Sequence, residues 1–252
     1  MNSIDIKTTW TDNISNAERE DFCFVVNTVF GPFCTNDYFK LKYIDNIYGP
    51  SALIIVYINQ EPIGACSLWR NDIEGKEAYL AADACVLPAY RGIGIYSTML
   101  KKRNEIAAQR SLPLLYTFPN KNSFPRLVKK GWKVRLSRKV FFIPSLSSAK
   151  QIGCIDKQYA KWWLIHCENI FHMTWYGHHY LIKAVSAKGI ARVLGCIDKE
   201  TANLFPEPKH FFWILYCESE KVTFYNKRWS ATPIAFVNGD NTPIPFWKMD
   251  SL

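Results

Sequence analysis

Between residues 91 and 150 this 252-residue sequence holds one acidic residue, Glu105, against fourteen Lys and Arg. The remaining 17 Lys and Arg face 21 Asp and Glu, so the formal net charge of +9 is concentrated in that segment. A field of one sign suits either a nucleic-acid surface or a pocket for one heavily phosphorylated small molecule. Also absent is any uninterrupted apolar run of the ~18 residues that a spanning helix needs, so no membrane span is expected. The opening Met1-Asn2-Ser3-Ile4-Asp5 is polar and alternating, unlike a secretion signal. None of the eight cysteines (23, 34, 66, 85, 154, 167, 196, 217) belongs to a Cys-x-x-Cys pair. That pattern argues against a zinc site and for reduced, buried, small hydrophobes in a cytoplasmic protein, with no metal expected.

What is present is core material. The chain is 48% hydrophobic, with 16 Phe, 13 Tyr and 9 Trp, the composition of a folded protein with one large domain or two small ones. Residues 3–10 read as a strand. Ser15 and Glu18 form a capping pair for a helix whose face is Phe22, Val25, Val26 and Val29, stopped at Gly31-Pro32. A second short helix is expected through Tyr38, Leu41, Ile44 and Ile47. The runs 52–58 and 63–69 flank Asn59–Pro62 as a hairpin, and 78–87 is a further strand. A helix over 95–110, a short strand at 113–118, a basic helix ending at Gly131 and a strand over 132–143 follow. The order β-α-α-β-β-β-α-β-α-β predicts an α/β (α+β) fold with a mixed central sheet. Pro144–Ser148 reads as a linker, dividing the chain into domains 1–144 and 149–252.

The stretch that organises this plan is Cys85-Val86-Leu87-Pro88-Ala89-Tyr90-Arg91-Gly92-Ile93-Gly94-Ile95-Tyr96. A strand feeds a glycine-containing turn, and the turn feeds a helix start. Glycines let successive N–H groups point one way, and the first-turn N–H groups of a helix lack internal partners. Arg91 adds positive charge beside them. A di- or polyphosphate is the natural occupant.

Val86–Gly94 resembles the signature of the GCN5-related N-acetyltransferase (GNAT) family, and the element order and the Asn120…Lys130-Gly131-Trp132 segment are similar too. The resemblance covers residues 1–144 and extends to a branch with a GNAT-like C-terminal half. It implies that acetyl-CoA is bound, with the pyrophosphate held by the backbone of Arg91, Gly92, Ile93, Gly94, Ile95 and Tyr96. It further implies that the pantetheine arm and thioester lie along Cys85, Val86 and Leu87, with Asn120 and Ser123 contacting the cofactor's pantetheine side. Two departures stand out. Tyr96 replaces a small residue of the motif, and Leu127 occupies the place where the family often has an acidic tyrosine.

Acyl transfer to an amine requires a base for the ammonium proton and an acid for the departing thiolate. Asp83 is the carboxylate in the strand that approaches the thioester. Alternation places it on the face of Cys85 and Leu87, and burial would raise its pKa. Glu77 is a weaker alternative. Tyr116 or Tyr96 replaces the missing acid. Asn120 and Ser123 also suit a cap for the helix after Pro119.

Residues 149–252 hold all five histidines and six of the nine tryptophans, but no Arg-Gly-x-Gly loop, so no cofactor is assigned there. Asp156–Cys167 reads as a helix, and Thr174–Val185, Ile190–Ile197, Phe211–Cys217, Val222–Tyr225 and Ile234–Val237 as strands. Tyr159-Ala-Lys-Trp-Trp-Leu-Ile echoes Tyr38-Phe-Lys-Leu-Lys-Tyr-Ile ahead of a strand pair, with Gly195 answering Gly64, which suggests a degenerate repeat of the first half. His178 and His179 are adjacent in a strand and face opposite ways, poor joint ligands. The aromatic second half is expected to shape the acceptor side.

The reading that follows is an acyl-CoA-dependent N-acyltransferase acting on a primary amine of a small molecule, an amino sugar being one candidate. A catalytically inactive coenzyme A-binding scaffold is the second reading, and a basic nucleic-acid-associated binder the third and least favoured.

Overall fold

The computed structural model describes residues 4–141, 153–175, 177–186, 189–209, 212, 214–219 and 232–237. The expected linker 144–148 and the expected strand Val222–Tyr225 lie outside these residues. The chain forms two compact units, Met1–Lys133 with Ala235–Asp240, and Val134–Ile234 with Asn241–Leu252.

In the first unit β1 (Ile4–Trp10), β2 (Ala52–Ile58), β3 (Glu61–Arg70) and β4 (Tyr79–Val86) are antiparallel neighbours, and β4 then pairs parallel with β5 (Leu115–Thr117). Ala235–Val237, the end of β11 (Thr232–Val237), runs antiparallel along β5. The hairpin between β2 and β3 turns on Asn59 and Gln60, both at positive φ (51° and 69°), the conformation of a two-residue turn that matches strand twist.

Helix α1 (Asn16–Phe30) starts with the expected capping box, Ser15 and Glu18 reciprocally bonded. It buries Phe22, Val25 and Val26. Helix α2 (Asn36–Phe39), capped by Thr35, continues into a π-helical turn, Lys40–Ile44. This turn overturns the expected apolar face. The N–H of Asp45 donates to the carbonyl of Lys40 (2.8 Å), five residues back, so Ile44 (47% exposed) and Ile47 (43%) face outward. Tyr38 is buried as expected, and Lys42, Tyr43 and Asn46 are buried in place of Ile44 and Ile47.

Helix α3 (Ile95–Gln109) packs Ile95, Met99, Leu100, Ile106 and Ala107 inward together with Arg103. Gly64 on β3 permits this approach, since a Cβ there would sit 3.1 Å from Ile95 Cγ2. Helix α4 (Phe124–Lys129) follows β5 and buries Leu127.

The second unit contains most of β6 (Lys133–Phe141), then α5 (Lys157–Trp162), β7 (Ile170–Trp175), β8 (His178–Ser186), β9 (Ile190–Ile197), α6 (Lys199–Ala202) and β10 (Ile214–Ser219). The strands β7, β8 and β9 form an antiparallel meander, and β10 lies parallel to β9 and antiparallel to β6. The expected single strand Thr174–Val185 is thus two strands, because the chain turns at Gly177 with φ +76°. A core of Tyr180, Ile182, Ala191, Val193 and Leu215 fills this unit. His179 Nδ1 lies 3.1 Å from Thr174 Oγ1. Among the described residues no three His, Cys, Asp or Glu converge as metal ligands, and no helix is long and apolar enough to cross a membrane.

Candidate active site

The expected anion loop has the geometry its sequence calls for. β4 ends at Val86, a 3₁₀ turn (Pro88–Tyr90) follows, and Gly92 and Gly94 adopt φ +87° and +95°. A Cβ at either glycine would meet nothing within 4 Å, so the space in front of the loop is open. Gly94 caps α3 without a side-chain bond, and the first turn of α3 carries no acidic residue. Among the described residues, no backbone carbonyl accepts from the N–H groups of Ile93, Gly94, Ile95, Tyr96 or Ser97. Free N–H groups and the positive end of a helix dipole suit a pyrophosphate. Arg91 turns back instead, its Nε donating to the Val86 carbonyl at 3.1 Å.

Beside the loop the sheet opens. β4 pairs with β5 only at Tyr79–Leu115 and Leu80–Tyr116, with Thr117 Oγ1 donating to the Ala81 carbonyl (2.9 Å) just beyond. From Ala82 to Val86 the β5-facing edge of β4 has no strand against it among the described residues. Cys85, Val86 and Leu87 lie along this open edge and are only 4%, 9% and 7% exposed. Burial, then the Asp83 charge, pushes the Cys85 thiol up to about 12, which favours its protonated form at neutral pH. The Arg103 guanidinium, 3% exposed, reaches the Ala82 carbonyl at 3.4 Å, and its Nε has no hydrogen-bond partner.

Asp83 sits where β4 is irregular. The β3–β4 register shifts between Ala65 and Ser67, and Asp83 itself has φ +52°. The extra residue breaks alternation, so the expected common face with Cys85 and Leu87 does not follow. The bulge delivers Asp83 to Lys42 (Nζ–Oδ2 2.8 Å, Nζ–Oδ1 3.1 Å), to Ser67 Oγ (3.0 Å) and to the Tyr43 hydroxyl, which donates a short bond. Lys42 also donates to Tyr38 (3.1 Å) and lies over the rings of Tyr38, Tyr43 and Trp69 at 5.2–5.3 Å. Trp69 Nε1 holds the carbonyl of Lys42 at 3.0 Å. The caged ammonium decides the electrostatics. Burial alone would raise the Asp83 pKa, but the Lys42 charge and the bonds from Lys42, Tyr43 and Ser67 outweigh it and hold the carboxyl below its ordinary value. The expected raised pKa is therefore corrected. Lys42 is shifted upward, burial opposing and Asp83 prevailing, while Tyr38 is pushed up to about 12 by burial.

Tyr116 is not brought to this cluster. It is fully buried opposite Leu80, with its hydroxyl 3.5 Å from the carbonyl of Asn71 and its ring edge-on to Phe118. Glu77 pairs with Arg70 (3.1 Å) and accepts from Tyr79. Tyr96 packs its ring under Arg126 (5.3 Å) and shares a hydrogen bond with Ser123. Asn120 Oδ1 accepts from the N–H groups of Asn122 and Ser123, both 2.9 Å, which closes the 120–123 turn, but Ser123, the residue before α4, makes no side-chain bond to the helix start, so the expected helix cap is not formed there. Lys42, Tyr43, Ser67 and Arg103 were not singled out by sequence. Lys42 at i+4 from Tyr38, and Arg103 between Met99 and Ile106, were the available signals: charges on otherwise apolar stripes.

Residues 14–125 match the family model described as acetyltransferase (GNAT) family. No curated protein matches the sequence. The solved structures that share the fold include these three. A probable N-acyltransferase from Enterococcus faecalis is similar with a TM-score of 0.56 at 11% identity, over 93% of this chain and 72% of that one. A GCN5-related N-acetyltransferase from Kribbella flavida gives 0.53 at 12%, covering 92% and 71%. Another from Anabaena variabilis gives 0.53 at 11%, covering 91% and 72%. The uncapped glycine loop, the parted β4 edge and the family match over the same residues agree: residues 14–125 form an acetyltransferase domain of the GNAT family.

Proposed function

We propose that this chain is an acyl-coenzyme A-dependent N-acyltransferase that moves an acetyl or related acyl group to the primary amine of a small molecule, an amino sugar being one candidate. The observation that carries the reading is the parting of β4 from β5 beside an acid-free helix N-terminus with unpartnered N–H groups. The backbone of Arg91–Tyr96 would hold the pyrophosphate, and the open edge at Cys85–Leu87 the pantetheine arm, near Asn120 and Ser123. Coenzyme A would supply the activated thioester, so positioning carries much of the rate.

In this reading Asp83 is the proton acceptor for the amine. Its Oδ2 already accepts from Lys42, Tyr43 and Ser67, whereas Oδ1 accepts from Lys42 alone. Oδ1 is therefore the atom with acceptor capacity to spare, directly or through one water. Tyr96 takes over from Tyr116 as the hydroxyl considered for the departing thiolate, since it stands on the first turn of α3 beside Arg126. The second unit, a meander followed by a parallel strand like β2–β5, is read as a degenerate GNAT-like half.

Calorimetry with acetyl-CoA tests the cofactor. The unmutated chain should bind, and Arg91→Glu or Gly94→Trp should weaken binding at least tenfold while circular dichroism is unchanged. No heat from the unmutated chain overturns the reading. Binding without thioester release over a panel of amines and amino sugars would favour the inactive scaffold, which the crowded Asp83 carboxylate and Leu127 support.

A further inference from the structure

Two thiols touch in the first unit. Cys23 on α1 and Cys34, in the connection to α2, have their sulfurs 3.3 Å apart. The backbone holds them there. Asn27, one helical turn beyond Cys23, grips the Cys34 peptide from both sides, its Nδ2 donating to the Cys34 carbonyl (3.1 Å) and its Oδ1 accepting from the Cys34 N–H (2.8 Å). A disulfide is ~2.05 Å long, so closure requires just over 1 Å of approach.

The pair is also asymmetric. Cys34 is 3% exposed, and Cys23 is the more accessible. The Cys34 S–H and the Arg19 guanidinium, one turn earlier on α1, favour the thiolate of Cys23, whereas its partner and burial push Cys34 up. An accessible thiolate beside a buried second thiol is the arrangement of a peroxidatic cysteine with its resolving partner.

We propose that Cys23 and Cys34 form an oxidisable pair, a modification site at which a hydroperoxide converts the dithiol to a disulfide. The Cys23 sulfur attacks one oxygen of the peroxide. The O–O bond breaks, the second oxygen leaves with a proton as water or an alcohol, and Cys23 becomes a sulfenic acid. The Cys34 sulfur then attacks the Cys23 sulfur, the S–O bond breaks, and water leaves with the Cys34 proton. With hydrogen peroxide, two thiols give one disulfide and two waters, two electrons passing to the peroxide. The new bond ties α1 to the root of the segment that carries Tyr38, Lys42 and Tyr43 to Asp83.

The test treats the full chain with one equivalent of hydrogen peroxide, alkylates the remaining thiols, and maps a non-reduced digest by mass spectrometry. The expected product is a Cys23–Cys34 linked peptide pair, lighter by about 2 Da than the two thiol peptides and released by dithiothreitol. In Cys34→Ser the same treatment should leave Cys23 as a sulfenic acid that dimedone traps. A linked peptide from Cys154 and Cys196, whose sulfurs are 2.8 Å apart, leaves the proposal standing when the Cys23–Cys34 product is found beside it. Full alkylation of Cys23 and Cys34 in the folded chain, or oxidation confined to Cys154 and Cys196, overturns the proposal.

Discussion

Asp83 accepts from Lys42, Tyr43 and Ser67 at once, and this crowding decides how the residue responds to change. Because the folded carboxyl is held below its ordinary value, its stabilisation is present above the unfolded pKa and fades as pH falls through the folded one. Lys42, shifted the other way, is fully favourable below its unfolded pKa and loses its contribution only as pH rises through the folded one. Both terms are therefore intact at neutral pH. Lys42→Met should remove about 3–5 kcal/mol of stability in urea unfolding, since it leaves a buried carboxylate without its cation. It should also move the acid limb of the kcat/KM profile to higher pH, because Asp83 then protonates sooner. An unmoved acid limb would detach Asp83 from proton transfer. Asp83→Asn should lower kcat about 100-fold or more while acetyl-CoA binding by calorimetry persists. Tyr116→Phe should leave kcat unchanged and cost no more than about 1 kcal/mol, the net worth of one long hydrogen bond. Asp83 itself was legible as the carboxylate within an apolar strand. Its face and the direction of its pKa were not, because both depend on a bulge and on a lysine 41 residues distant in sequence.

At the scale of elements, caps and turn residues made the order of the first unit readable, since Ser15, Gly31 and the Asn59 turn act locally. The π-turn at Lys40–Ile44 was not readable. Its pattern of Tyr38, Leu41, Ile44 and Ile47 fits an ordinary helix, and what overrides it is burial of Lys42 and Tyr43 against Asp83 and Trp69. The start of α1 carries its own test. Glu18, 6% exposed, accepts from Ser15 and Thr9 and lies 3.2 Å from Lys7. Burial opposes ionisation, but these bonds prevail and hold the carboxyl at about 2. A depressed carboxyl stabilises above its unfolded pKa and loses that effect as pH falls toward the folded value. Glu18→Gln should therefore cost on the order of 2 kcal/mol at pH 7 and progressively less between pH ~4.5 and ~2. A pH-independent difference would mean that Glu18 stabilises through packing alone.

For the whole molecule the question is where a net charge of +9 is spent. Several cations of the basic run have internal partners. Arg103 is buried against β4, Arg110 lies over Trp10 at 5.0 Å, Arg126 over Tyr96, and Lys101 and Lys102 flank Glu105 at 3.8 Å. Charges held in this way are less available to a nucleic-acid backbone, and Arg91 stands in the loop itself. Acetyl-CoA at ~100 times its Kd should add ~2.7 kcal/mol to the unit that carries the loop. For a chain of this size that corresponds to a rise of about 5–10 °C in Tm, and Gly94→Trp should abolish it. Salt separates the two readings. An oligonucleotide held through six or more phosphates loses about 10³-fold in affinity between 50 and 200 mM salt. A cofactor gripped by backbone N–H groups at a helix start depends chiefly on fixed short-range donors, so its Kd should rise only a few-fold over that range. Binding of a generic 20-mer that acetyl-CoA fails to displace, with the steep salt slope, would return the basic segment to nucleic acid and leave the loop without its ligand.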